Sequence, residues 1–145
     1  MERKTDACTY RRGQTVNAPE LRVVEAWHEA LNNGAVDRLV ELSHSEVEVG
    51  GPHGTGRGAQ LLREWVDRAN IRLEPRRIFH HADTVVVEQW AEWRSADTGR
   101  VIGSQTVGSV FVVRDGRVTR VVRYPDLADA LDATDLDESH EKKSN

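Results

Sequence analysis

The chain has 145 residues, with 20 basic and 24 acidic side chains and a formal net charge of -4. This length predicts one domain with a sizeable core. The acidic balance argues against a nucleic-acid binder, whose domain is usually strongly basic. No apolar run is long enough to span a membrane and no apolar signal segment follows Met1, so we expect a cytoplasmic protein that does not bind membranes. The single Cys8 excludes an intrachain disulfide bond.

The first part of the chain carries helical periodicity. Residues 1–18 show no periodicity and are predicted to be a flexible leader. A first helix is predicted from Asn17 or Pro19 to Asn32, because asparagine suits the cap and proline the first turn. Shorter helices are predicted at Val36–Leu42 and Ala59–Ala69. The inward-facing residues of the first helix form one stripe: Leu21, Val24, Trp27, His28 and Leu31.

A glycine-rich stretch separates the second and third helices. It follows a short strand predicted at Glu46–Val49 and reads GGPHGTGRG from Gly50 to Gly58. We interpret it as a loop that binds no nucleotide, because it has neither the order of a phosphate-binding loop nor that of a dinucleotide fingerprint. The chain also has no HxH, HxxxH or CxxC pattern. We therefore expect no cofactor and no metal.

The rest of the chain favours strands. Ile71–His81 is predicted to be a strand with an edge or a bulge at Pro75. The run Thr84–Tyr124 holds further strands rich in Val, Thr, Trp and Phe, and Asp115-Gly116 between two of them is a strong hairpin signal. A helical turn is predicted at Pro125–Leu131. Helices first and an antiparallel sheet later indicate an α+β domain over residues 19–131, with a disordered acidic tail at 132–145.

The order and spacing of these segments resemble a known superfamily. The matching text is VVEAWHEALNNGAVDRLVEL, GGPHGTGRGAQLLREWV and SVFVVRDGRVTRVVRYPDL, within Val23–Asp126. It resembles the nuclear-transport-factor-2-like superfamily, in particular the SnoaL-like polyketide cyclases and ketosteroid isomerases. The resemblance implies a cone-shaped barrel, formed by a curved, mostly antiparallel sheet that three N-terminal helices cover. It also implies a deep apolar pocket for a small hydrophobic ligand, and a homodimer through the outer sheet face.

The catalytic residues of these relatives are not carried over. Ketosteroid isomerases use a tyrosine, an aspartate that acts as the general base, and an aspartic acid that donates a hydrogen bond to the oxyanion. The corresponding positions in this chain hold Trp27, Gly51 and Ser109. Epoxide hydrolases of the limonene type use an arginine and two aspartates, and the corresponding positions hold Gln89, Ala91 and Arg123. The chemistry of neither group is therefore expected here in its usual form.

Alternation along the strands predicts which side chains enter the pocket. A two-residue turn at Ala82-Asp83 would pair His80 with Val85 and Arg76 with Gln89 on that face. The predicted polar groups of the pocket are Arg76, His80, Gln89, Gln105, Ser109 and Arg123. Its predicted walls are Trp27, Val49, Trp65, Val66, Trp93 and Phe111. With no carboxylate expected inside, the ligand is predicted to be anionic or enolisable.

The leading hypothesis is an enzyme that cyclises, isomerises or hydrates a polyketide-like metabolite. His80 or His53 would transfer protons, and Arg123 and Gln89 would stabilise an enolate. Each residue also has a structural alternative: a satisfied core histidine for His80, an exposed loop residue for His53, and an ion pair with Asp126 for Arg123. The alternative functions are a non-catalytic ligand carrier and a dimerisation module whose pocket is filled by tryptophan.

The outer face of the sheet is predicted to mix charge with apolar surface. Such a face is typical of an interface between two subunits. The residues expected to be buried between two copies are Trp90, Val110, Val112 and Val122.

Overall fold

The computed structural model describes residues 18–51 and 54–142. Its helices are α1 (Pro19–Asn32), α2 (Val36–Glu41), α3 (Ala59–Ala69) and α4 (Leu127–Asp132). Its strands are β1 (Ser43–Gly51), β2 (Gly54–Arg57), β3 (Ile71–His81), β4 (Thr84–Arg94), β5 (Val101–Arg114), β6 (Arg117–Tyr124) and β7 (Glu141–Lys142). No helix in the described ranges has both the length and the apolar character needed to cross a membrane.

The seven strands form one curved sheet that does not close on itself. Its order is β2-β1-β6-β5-β4-β3-β7. Only β1 and β6 run parallel, and every other neighbouring pair is antiparallel. The predicted α+β class and the mostly antiparallel sheet are confirmed, and the α1 stripe predicted from periodicity is buried at all five positions.

The glycine-rich stretch, predicted to be a loop, instead contributes to the two strands of a β-hairpin. Val49 pairs with Gly56, and Gly51 pairs with Gly54. The hairpin lies against α3: a Cβ atom at Gly56 would come within 2.5 Å of a Leu61 methyl carbon, so the Leu61 side chain would have to shift to admit any other residue. The connecting residues Pro52 and His53 lie outside the described residues.

The predicted turn between β5 and β6 is confirmed. Arg114 pairs with Arg117, and both turn residues have positive φ, 53° for Asp115 and 79° for Gly116. Two consecutive positive φ angles are the geometry that matches the twist of a two-residue hairpin.

Strand β3 contains a bulge that changes the predicted pocket. His80 pairs with Val85 as predicted, but Gln89 lies opposite Pro75 and Arg77 lies opposite Glu88. Arg76 is the extra residue, so its predicted pairing with Gln89 is wrong. Proline has no N–H to donate to the hydrogen-bond ladder of the sheet. The extra residue beside it keeps apolar side chains of β3 directed toward the concave core both before and after the bulge.

Each face of the sheet holds its own apolar cluster. The concave face packs against α1, α2 and α3, and its core includes Trp27, Leu62 and Phe111. The convex cluster is smaller and is covered by α4 and the residues after it. Its buried members are Phe79, Val86, Val110, Leu127, Ala130 and Leu136.

The acidic tail is folded up to residue 142, in contrast to the predicted disorder from residue 132 onward. Leu136 is buried on the convex face, and β7 pairs with β3. Arg77 holds this segment through Glu138 and Glu141, each at 2.9 Å. The tail therefore covers part of the face that the sequence assigned to a second subunit. Val110 and Val122 are only 2% and 6% exposed within the single chain, and dimer formation stays a prediction.

Candidate functional site

A cavity of about 420 Å³ opens on the concave side of the sheet. The β1–β2 hairpin and α3 form one wall, and α1, β3, β5 and β6 form the others. Its side chains include Trp27, Val49, Leu61, Trp65, Arg68, Leu73, Ser109, Val121 and Arg123. A mostly apolar cleft with few polar groups is the usual form of a small-molecule site.

Arg123 is the central charge of this cavity. Strand β6 places it opposite Ser109 of β5, and its guanidinium carbon lies 5.6 Å from the centre of the Trp93 ring. The side chain is half-buried, and burial lowers the pKa of Arg123. Among the described residues that line the cavity there is no carboxylate, whereas Arg68 adds a second, more exposed cation. The predicted pairing of Arg123 with Asp126 is absent from the contacts of the described chain.

A chain of hydrogen bonds runs from this cavity into the core. The Ser109 hydroxyl lies 2.7 Å from Gln89 Oε1, and Gln89 Nε2 lies 2.8 Å from His28 Nε2. His28 Nδ1 in turn lies 2.8 Å from the carbonyl oxygen of Val24. His28, Gln89 and Ser109 are 3%, 0% and 2% exposed, so this polar chain is shielded from water.

His28 is neutral in this environment. It packs against the rings of Trp27 and Phe111, with centroid distances of 5.8 and 5.3 Å. Burial lowers the pKa of His28 to about 4, although the hydrogen bond to Val24 opposes the shift. A neutral imidazole offers one donor and one acceptor, which the carbonyl of Val24 and the amide group of Gln89 satisfy.

Of the six predicted wall residues, three line the cavity and three lie in the core beside it. Trp27 and Trp65 line it directly, as does Val49. Trp27 donates its indole N–H to Ser43, 3.2 Å away, so only its ring faces the ligand space. Phe111 is fully buried and touches Trp27 edge-on at 5.1 Å. The remaining predicted wall residues, Val66 and Trp93, are half-buried against the same core.

Four of the predicted polar residues are not among the residues that line the cavity. Gln89 lies behind Ser109, and its amide group contacts Ser109 and His28. His80 lies near the end of β3, with Nε2 2.8 Å from the Ala82 carbonyl oxygen and 3.4 Å from Glu20. Arg76 is displaced by the bulge and pairs with Glu74 at 3.2 Å. Gln105 is exposed near the start of β5. His53 lies outside the described residues.

A second cavity, of about 670 Å³, lies at the β3 edge between α1 and β7. Charges of both signs line it: Glu25, Glu29, Arg72, Arg76, Arg77, Glu141 and Lys142. Arg77 and Glu141 pair with each other at 2.9 Å. The rest of the lining includes His28 and the apolar side chains Leu21, Val24, Ile78 and Val87. Within residues 18–51 and 54–142, no cluster of three or more His, Cys, Asp or Glu side chains could hold a metal ion.

His28 is the site residue that the sequence interpretation missed. Its position on the apolar stripe of α1 predicts a core residue. A signal was present, because Gln89 and Ser109 were both predicted to face inward and α1 was predicted to cover that face. Three polar groups at inward positions of packed elements indicate a hydrogen-bonded network.

Comparison with known proteins agrees with this architecture. The chain matches the model of the SnoaL-like domain over residues 24–121, which is more than half of its length. No curated protein matches it.

Three solved structures share the fold of this chain at low sequence identity. TerC, co-crystallised with polyporic acid, has a TM-score of 0.65 at 22% identity, over 77% of this chain and 95% of that one. A protein described as a polyketide cyclase, from Xanthomonas campestris pv. campestris, has a TM-score of 0.62 at 23% identity, over 77% and 93%. An LEH-like epoxide hydrolase of M. tuberculosis has a TM-score of 0.63 at 21% identity, over 79% and 87%. At these identities the likeness establishes the fold. The family match shows that the chain belongs to the SnoaL-like family.

Proposed function

We propose that this protein binds a hydrophobic, anionic or enolisable small molecule in the cavity at Arg123 and stabilises negative charge on its oxygen. The observation that carries the proposal is the half-buried guanidinium of Arg123, which has no carboxylate partner among the described residues. An arginine away from water is costly unless an anion or hydrogen-bond acceptors compensate it. A ligand oxyanion would supply both.

The reaction class that fits is cyclisation, isomerisation or water addition on a polyketide-like metabolite. Such reactions pass through enolate-like states, in which a preorganised cation lowers the barrier. The aromatic walls of Trp27 and Trp65 would hold the apolar part of the substrate in a reactive conformation. The solved structures with the same fold include an epoxide hydrolase and a protein described as a polyketide cyclase, and this likeness supports small-molecule chemistry.

The predicted residues for proton transfer are His80 and His53. His80 has its Nε2 engaged by Ala82 and Glu20 and does not line the cavity. His53 remains a candidate from the sequence alone, because it lies in the chain between Gly51 and Gly54, which both line the cavity.

A non-catalytic carrier is the second candidate function. The described residues that line the cavity include neither a histidine nor a carboxylate, so no general base is evident there. Binding of a compound without its conversion would favour the carrier, and conversion would favour the enzyme.

The test of the shared binding step compares a matched anion with a neutral analogue. Naphthylacetate should bind wild-type protein roughly ten- to hundredfold more tightly than naphthylacetamide, since a hydrogen bond to a charged group contributes about 1.5–3 kcal/mol. Replacing Arg123 by leucine (Arg123→Leu) should remove most of this preference while leaving naphthylacetamide affinity nearly unchanged. Arg117→Leu, at the exposed end of β6, is the matched control. An equal preference in wild type and Arg123→Leu, measured by calorimetry, would refute the proposal.

A further inference from the structure

In the hydrogen-bonded chain Ser109–Gln89–His28–Val24, the carbonyl oxygen of Val24 determines which group donates and which accepts in every bond. The carbonyl oxygen of Val24 can only accept, so the Nδ1 atom of His28, 2.8 Å away, must carry a proton. The other ring nitrogen of the neutral imidazole then has a lone pair. Only the amide nitrogen of Gln89 can donate to that lone pair, which agrees with the 2.8 Å contact between the two nitrogens.

The same logic continues to the cavity. With its nitrogen turned toward His28, the Gln89 side chain presents Oε1 to Ser109, 2.7 Å away. An amide oxygen only accepts, so the single hydroxyl hydrogen of Ser109 is donated to Gln89. The opposite amide orientation would require protons on both ring nitrogens of His28, which is unfavourable for an imidazole that is 3% exposed.

We infer that Ser109 acts in this cavity as a hydrogen-bond acceptor only, and that Gln89 and His28 are the residues that fix this polarity. The inference rests on the proposed function and narrows its ligand class. Arg123, directly opposite Ser109 on the neighbouring strand, is a donor only. Side chains at directly opposite positions have Cβ atoms about 5 Å apart. The favoured ligand therefore has a hydroxyl or N–H donor next to its oxyanion, as in an α-hydroxy acid or an enolised hydroxyketone.

Ligands with an acceptor at the same place are disfavoured. A keto oxygen beside the oxyanion would face the lone pairs of Ser109 with no hydrogen between them. A buried polar group left without a partner costs more than the mean value of a hydrogen bond. The Ser109 position thus discriminates a hydroxy compound from its oxidised keto form.

The experiment uses three naphthyl carboxylates that differ at the carbon next to the carboxylate. Naphthylglycolate carries a hydroxyl there, naphthylglyoxylate a keto oxygen, and naphthylacetate neither. Wild-type protein should bind the glycolate about tenfold more tightly than the glyoxylate, with the acetate between them. A wild-type preference for the glyoxylate, or no preference, would overturn the inference.

Two variants separate direct contact from positioning. Ser109→Ala should abolish the difference between the glycolate and the glyoxylate. Gln89→Met keeps the serine but frees its hydroxyl hydrogen, so Ser109 can donate, and the glyoxylate should gain affinity relative to the glycolate. If the role of Gln89 were merely structural, Gln89→Met would lower the affinity for all three probes without changing their order. Arg123→Leu should lower the affinity for all three probes and preserve the ratio of glycolate affinity to glyoxylate affinity.

A ligand-free measurement completes the test. Nitrogen NMR of histidine-labelled wild-type protein should show His28 as a neutral imidazole with its proton on Nδ1. A proton on Nε2 would overturn the polarity of Ser109, whatever the binding data, and this measurement also decides the case if Gln89→Met does not fold. Failure of every probe to bind would instead overturn the proposed function, so the two failures are distinguishable.

Discussion

The two faces of the sheet each place an arginine over an aromatic ring, but only one of these arginines is neutralised by the chain. On the convex face, the guanidinium carbon of Arg77 lies 5.2 Å from the Phe79 ring centre, and both Glu138 and Glu141 bind the group. Hydrogen bonds and charge from Glu141, with Glu138 adding to them, raise the pKa of Arg77. On the concave face, Arg123 has the same aromatic support from Trp93, yet the described chain supplies no carboxylate.

This difference separates a structural cation from one that is available to a ligand. The convex cluster is closed by the C-terminal segment, and its buried members are all apolar. The buried polar side chains of the described residues are His28, Ser43, Gln89 and Ser109, and the last two lie on strand positions that face the concave side. Buried polar groups cost stability and need a reason, which the proposed ligand site supplies.

The largest expected effect comes from opening the convex face. Leu136→Ala should lower the free energy of unfolding by about 2–5 kcal/mol, because it leaves a cavity against Phe79 and Val110. Urea unfolding measures the change, and Asp132→Ala on the exposed side of α4 is the control. A loss below about 0.5 kcal/mol would mean that the tail does not close this face. Binding of naphthylacetate should stay unchanged in both variants.

Low pH should destabilise the protein because His28, buried on the concave side, resists protonation in the folded state. The pKa of His28 falls from 6.5 to about 4 on folding, so between these values the unfolded chain binds more protons than the folded one. Stability from this group is therefore complete above pH 6.5 and is lost as the pH falls toward 4. The loss amounts to about 3 kcal/mol.

The control for this acid effect is His28→Gln, which retains every other titrating group. Its unfolding free energy should be lower than that of wild type at pH 7 and should fall less steeply between pH 6.5 and 4. Parallel pH profiles of the two proteins would contradict a buried, neutral His28.

Much of the concave face could be predicted from the sequence because alternation and helical spacing are local signals. The inward positions of β4 and β5 alternate, and Val121 and Arg123 of β6 alternate beyond a register shift opposite Val112 and Val113. The alternation therefore predicts the face on which Gln89, Ser109 and Arg123 lie. The turn at Asp115-Gly116 was likewise fixed by the two residues that form it.

The remaining features depend on contacts that are distant in the sequence. The bulge places Arg76 outside the site, and composition shows that Pro75 disturbs the strand but not which neighbour is displaced. The high charge of the tail predicts disorder. The tail is nevertheless ordered, because Leu136 is buried and because Glu138 and Glu141 bind Arg77, which lies more than 60 positions earlier in the chain. The role of His28 depends on its contact with Gln89, which is 61 positions away in the sequence.

The smallest expected effect tests whether the neutralised cation matters for ligand binding at all. Replacing both partners of Arg77 by glutamine (Glu138→Gln with Glu141→Gln) should lower the free energy of unfolding by about 1 kcal/mol or less. Ion pairs near the surface contribute little to stability and are screened by salt. The difference from wild type should shrink in high salt. Affinity for naphthylacetate should not change, since these pairs lie on the opposite face from Arg123. A loss of naphthylacetate affinity comparable to that of Arg123→Leu would show that the two arginines act on one site, and would remove the distinction between a structural cation and a ligand-binding one.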